Sequence, residues 1–107
     1  DTFHKFSTFS HHSFSLEGLE WPSVEHYYQA MKYEDGRHRR RICLADHPRK
    51  ARKLGRSRWQ RRRKDWKQIK VIVMTRGVYT QCRTHPDIAT ALLATGEKTL
   101  IENSNYD

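Results

Sequence analysis

The sequence predicts an α+β fold, a mostly helical single domain with a small sheet, and three observations carry that expectation. The chain has 107 residues, the length of one ordinary domain, with no internal repeat or linker to divide it. Residues Phe14 to Trp21 (FSLEGLEW) alternate apolar and polar side chains around Glu17-Gly18, the pattern of a short hairpin. Downstream, apolar residues recur at helical spacing between recognisable caps and stops.

The elements follow in order. Pro22-Ser23 ends the second strand, and the Ser23 hydroxyl suits the free amides of a helix start. That helix is expected from Val24 to Tyr33, stopping before Glu34-Asp35-Gly36. A basic helix is expected from Arg37 to Ala45. Pro48 fits the first turn of another, closing at Gly55. From Arg61 to Gln81, Trp66, Ile69, Val73 and Gly77 share helical spacing, giving the longest helix. His85-Pro86 open one more, through Ile88, Leu92 and Leu93, with Gly96 as C-cap. Leu100-Ile101 reads as a brief strand or an extended buried segment.

Composition narrows the class. Three Trp, five Tyr and four Phe can anchor a core although 31% of residues are charged, so a disordered chain is not expected. No apolar run approaches the roughly 18 residues of a membrane helix. The chain opens at Asp1 without a charged-then-apolar signal segment, so no secretory address is read. The net charge is +9, but Arg37 to Lys70 holds sixteen basic residues and only two acids, Asp46 and Asp65. Such a segment attracts polyanions, and the expected partner is phosphate, nucleotide, DNA or RNA. The plainer reading is a solvated basic face that aids solubility.

Cys43 and Cys82 are too few and too far apart for a disulfide framework, so a reducing, cytoplasmic compartment is expected. Cys43 and His47 stand at i, i+4, yet no second half-site follows at zinc-like spacing; no metal and no cofactor are expected. Neither a dinucleotide-binding fingerprint nor a P-loop is present, and no serine-hydrolase elbow.

The segment WPSVEHYYQAMKY (Trp21 to Tyr33) is the informative one. On a helix Glu25, Gln29 and Lys32 fall at i, i+4 and i+7, one stripe of carboxylate, amide and ammonium. Glu25 falls in the first turn, where the helix dipole favours a negative charge. Tyr27, Tyr28 and Tyr33 flank the stripe. It reads equally as a functional constellation or as a salt-bridged surface helix.

The run FSTF (Phe6 to Phe9), WPSVEHYYQAMKY, LGR (Leu54 to Arg56), DWKQIKVIVM (Asp65 to Met74), HPDI (His85 to Ile88), LLATG (Leu92 to Gly96) and LIENSNYD (Leu100 to Asp107) resembles the YbiA-like, or NADAR, family over nearly the whole chain. The resemblance implies an N-glycosidase that cuts a ribose C1–N bond in a phosphorylated substrate. Some members are associated with ribosylamino-pyrimidine phosphates of the early riboflavin pathway, and others remove ADP-ribose from modified guanine in nucleic acid. It implies one domain over residues 1–107, stopping before the family's usual W-G segment and Gly-rich tail. A chain without that segment can also be a noncatalytic nucleotide or nucleic-acid binding module.

Roles follow from the same resemblance. Glu25 would sit beside C1 and stabilise an oxocarbenium-like transition state, either steering ribose hydroxyls or activating water. Lys32 would act as a point charge, or as an amine forming a Schiff base with the opened sugar. Asp107 would be a second carboxylate, protonating the leaving nitrogen or binding the sugar. Trp66 would stack on the base; its plainer reading is a core residue at the start of the long helix. Tyr28 and Gln29 would contact the substrate, and Phe6 and Phe9 would line the base pocket or pack under it. Arg56, following Gly55, is the candidate phosphate donor because a glycine permits close backbone approach; Lys53, Arg58 and the helix start near Pro48 can assist. Arg61-Arg62-Arg63-Lys64 is expected to be solvated or a nonspecific backbone contact. Thr8 stands where the family often has Asn, and Met31 where Gln is common.

Overall fold

The computed structural model describes residues 10–86. Phe6, Phe9, Asp107, the helix expected beyond Pro86 and the segment at Leu100-Ile101 lie outside the described residues. Within them the order is β1 (Phe14–Leu16), β2 (Leu19–Trp21), α1 (Val24–Ala30), α2 (Gly36–Cys43), α3 (Pro48–Gly55) and α4 (Trp66–Thr84). The α+β class, mostly helical with a small sheet, is what the hydrophobic pattern predicted.

The two strands pair antiparallel in the register Phe14↔Trp21, Ser15↔Glu20, Leu16↔Leu19. Their two-residue turn has positive φ at both central positions, 55° at Glu17 and 75° at Gly18. Two positive φ values match the right-handed strand twist, and Gly18 adopts its value without steric cost. The Trp21 indole N–H donates to the Leu16 carbonyl at 2.8 Å and ties the hairpin across its own turn.

Helix α1 is the centre of the fold. It packs on α2, α3 and α4, and every residue from Val24 to Ala30 is buried. Ser23 caps it, its hydroxyl oxygen accepting from the His26 N–H at 3.2 Å. The helix ends at Ala30, three residues short of the expected Tyr33. Lys32 and Tyr33 donate instead to the Gln29 and Ala30 carbonyls, tightening the last turn into i→i+3 bonds. Phe14, Trp21, Tyr27, Tyr28, Met74 and Val78 form the core around it, with Trp21 edge-on to Tyr27 at 5.5 Å between ring centroids.

Other boundaries shift for equally local reasons. Helix α2 opens one residue early, because the Asp35 carboxylate accepts from the Arg37 and His38 N–H groups. It stops at Cys43, two residues short of Ala45, with Leu44 as its C-cap. Helix α3 has the expected bounds, with Pro48 in its first turn and His47 as N-cap. Helix α4 starts at Trp66, not Arg61. The Arg63 N–H donates to the Lys32 carbonyl at 2.8 Å and its guanidinium grips Asp65 at 2.6 Å, which holds residues 61–65 outside the helix. Its far end runs to Thr84, three residues past the expected Gln81, as Gln81 and Cys82 are still buried.

Candidate functional site

The stripe on α1 is not a solvated face. Glu25 is 3% exposed, and Gln29 and Lys32 are fully buried. The surface-helix reading therefore fails, and the reason is positional: α1 has helices on its several sides, so none of its faces reaches water.

A carboxylate in such a place needs partners, since an unpaired buried charge is strongly disfavoured. Glu25 has two. The Gln29 amide N–H donates to Oε2 at 2.6 Å from one turn along α1. From α3, Arg52 Nε reaches Oε2 at 3.2 Å, with a longer contact of 3.5 Å from the guanidinium to Oε1. Because the carboxylate only accepts, it fixes the Gln29 amide with nitrogen toward Glu25. Gln29 Oε1 is then left as a buried acceptor without a hydrogen-bond partner among the described residues.

Gly55 closes this corner. A Cβ built there would lie 2.1 Å from Gln29 Oε1, so only glycine lets the end of α3 pass this close. The Gly55 carbonyl accepts from the Tyr33 hydroxyl at 2.6 Å. The close approach that the sequence allowed for a phosphate is thus taken up by Gln29. Arg56 is the C-cap of α3, one residue on, and exposed.

Lys32, Tyr28 and Trp66 make a second cluster. Lys32 lies just past the C-cap of α1, with Nζ 5.8 Å from the centre of the Tyr28 ring. The same ring meets Trp66 edge-on at 5.0 Å. Trp66 is 3% exposed, and its indole N–H has no partner among the described residues. Glu25, Gln29, Tyr28, Lys32 and Trp66 are all buried.

The sequence matches the NADAR domain family over residues 1–107. The chain belongs to that family. An N-glycosidase of Nostoc punctiforme is 39% identical over 105 residues, covering 95% of this chain and 67% of its own length. N-glycosidase YbiA of Escherichia coli is 33% identical over 107 residues, again 67% of its length. A riboflavin biosynthesis protein of Vibrio vulnificus is 39% identical over 95 residues, only 26% of that protein. The NMR structure of the Escherichia coli protein YbiA superposes with a TM-score of 0.73 at 33% identity, covering 89% of this chain and 56% of that one. The chain thus spans about two thirds of the curated N-glycosidases it matches and just over half of the solved YbiA chain.

Arg52 is the residue of this buried cluster that sequence reasoning missed. A buried Glu25 demands a cation, but nothing in the pattern singles out Arg52 among sixteen basic residues. Cys43 and His47 have separate structural partners. Cys43 closes α2 and donates its thiol to the Glu20 carbonyl at 3.1 Å, with burial, and then the Glu20 charge, pushing its pKa up. His47 instead caps α3, Nδ1 accepting from the Arg49 N–H at 3.0 Å.

Proposed function

We propose that this NADAR chain is a metal-independent N-glycoside hydrolase cleaving a ribose C1–N bond in a phosphorylated ribosyl substrate, with ADP-ribose on guanine in nucleic acid as the leading substrate. One observation carries the reading. A carboxylate, Glu25, is buried on an enclosed helix and held by an ion pair to Arg52 and a hydrogen bond from Gln29. The names of the N-glycosidase relatives support the reaction class.

The chemistry asks for such a fixed anion. As the C1–N bond breaks, its electron pair leaves with the nitrogen and positive charge builds on C1 and the ring oxygen. A carboxylate already fixed by Arg52 and Gln29 stabilises that charge without reorganising. Water then bonds to C1 and gives up a proton, while the leaving nitrogen gains one; Asp107 is the proposed donor. In the alternative route the Lys32 amine bonds to C1 as the C1–N bond to the base breaks, and the base nitrogen leaves with the proton the amine gives up. The sugar ring opens to an imine on Lys32, and water hydrolyses that imine to free the sugar and the amine. The flat faces of Trp66 and Tyr28 suit a stacked base, and Phe6 and Phe9 keep their proposed role in binding that base. Gln29 Oε1, a buried acceptor without a hydrogen-bond partner among the described residues, would accept from a ribose hydroxyl, and Arg56 would hold a phosphate. A reducing, cytoplasmic compartment suits Cys43 and Cys82, neither of which is in a disulfide among the described residues.

A second reading keeps the same site but takes a ribosylamino-pyrimidine phosphate. It is favoured by riboflavin biosynthesis relatives in Vibrio vulnificus and Zea mays, the latter 36% identical over 122 residues.

Mass spectrometry of both substrates with EDTA, for the wild type beside Glu25→Gln, tests the proposal. Release of ADP-ribose from the guanine-modified oligonucleotide by the wild type alone is expected. Turnover of the pyrimidine phosphate alone would move the assignment to the second reading. Wild-type rates in Glu25→Gln would remove Glu25 from the chemistry, and no product from either substrate would overturn the hydrolase reading and favour a noncatalytic binding module.

A further inference from the structure

The outer face of α3 carries a groove separate from the Glu25 cluster. The inner face of that helix (Pro48, Ala51, Gly55) is buried, while Arg49, Lys50 and Lys53 point outward. Together with Leu54, Arg58 and Trp59 they line a concavity of about 830 Å³. A second groove, about 580 Å³, adds Arg37, Arg40 and Arg41 of α2 and shares Lys50 and Leu54 with the first. The two form one continuous basic surface, and among the described residues no carboxylate lines either of them.

Trp59 is the anomaly. It is 93% exposed, whereas Trp21 and Trp66 are buried. It is not a loose side chain on a featureless loop. Its N–H donates to the Ser57 hydroxyl oxygen at 3.1 Å, and the Ser57 N–H donates in turn to the Leu54 carbonyl at 3.3 Å. A turn anchored on the end of α3 therefore presents the indole beside Arg58 and Lys53.

Charge and shape together define the ligand. Seven Lys and Arg side chains spread over two joined grooves exceed what one phosphate needs, and suit a phosphate chain. An exposed indole at the edge of such a track offers a face to an unstacked base, which a duplex keeps inside its stack. An anionic membrane fits less well: among the described residues Leu44 and Trp59 are the only large apolar side chains exposed around these grooves, and Ile42 and Ala51 face the core. We propose that the outer face of α2 and α3, with Trp59 as its stacking platform, docks single-stranded nucleic acid. This surface stands independently of which ribosyl bond the Glu25 cluster cleaves.

Fluorescence anisotropy of a labelled oligothymidylate of about a dozen nucleotides tests the surface without any turnover. With the full chain, binding should weaken steeply as salt rises. Trp59→Ala should weaken it about tenfold while leaving the salt dependence intact, because a stacked base is lost but no phosphate contact. Lys50→Glu with Lys53→Glu should weaken it further and flatten the salt dependence. All three side chains are exposed, and circular dichroism checks that the variants fold. Wild-type affinity in both variants would overturn the proposal. So would loss confined to Arg61→Glu with Arg62→Glu, equal binding of the matching duplex, or binding to phosphatidylserine vesicles with none to the oligonucleotide.

Discussion

Gly55 and Gln29 approach so closely that a methyl group on Gly55 would fall 2.1 Å from Gln29 Oε1 and 2.6 Å from its Cβ. Neither side can yield freely, since Gln29 is fully buried and bound to Glu25. Gly55→Ala should therefore destabilise the protein by about 2–3 kcal/mol, the cost of overpacking a closed site. A thermal melt checks this, and an unchanged midpoint would show that α3 can slide away from α1.

Arg52 is the partner that makes a buried Glu25 tolerable. Arg52→Ala should cost about 3 kcal/mol, mostly the penalty of an uncompensated carboxylate. The double variant Arg52→Ala with Glu25→Gln should recover part of that loss. A urea denaturation series on the three variants reads the coupling, and strictly additive effects would refute the ion pair as the source.

Two buried histidines set a pH dependence. His26 donates from Nε2 to the Ala45 carbonyl at 2.9 Å, so its Nδ1 is the unprotonated nitrogen and receives the Ser23 hydroxyl at 2.7 Å. His38 likewise donates from Nε2 to the Leu54 carbonyl at 3.1 Å. Desolvation by burial lowers both pKa values below the ordinary 6.5, against the opposing pull of those carbonyls. Below about pH 6.5 the unfolded chain takes up protons that the folded chain refuses. The contribution of both residues is thus fully present above that pH and lost as pH falls toward their folded values. Stability should drop between pH 7 and pH 5, by at most about 1.4 kcal/mol per pH unit for each histidine. Urea midpoints across that window check it; a flat or rising profile would contradict the assignment.

The two catalytic routes separate at Lys32. If its amine attacks C1, cyanoborohydride added during turnover should reduce the imine and leave the sugar covalently on Lys32. Peptide mass spectrometry would locate the adduct. Its absence during active turnover would assign the attack to water, and Lys32→Met should then retain measurable rate.

Much of this architecture was legible because local chemistry dictated it. FSLEGLEW could only turn at Glu17-Gly18, and Pro48 with Gly55 bracketed α3 at both ends. The ends of α1 and α4 were less legible, because they are set by bonds between distant segments. The Arg63 N–H reaching the Lys32 carbonyl is one such bond, and no periodicity reports it. The stripe of Glu25, Gln29 and Lys32 was visible as a stripe, yet its burial was not. A polar helix face reads as surface unless the neighbours that enclose it are known. Arg52 was hidden for the same reason, being one guanidinium in a crowd until α3 is laid against α1.

The burial of α1 on all sides has a kinetic consequence. Its amide hydrogens can reach solvent only when α2, α3 or α4 lifts away, so they should be among the slowest in the chain to exchange with deuterium. Glu25 and Gln29, proposed to carry the chemistry, would then share the lifetime of the whole fold, and the protein could not lose them by local fraying without coming apart.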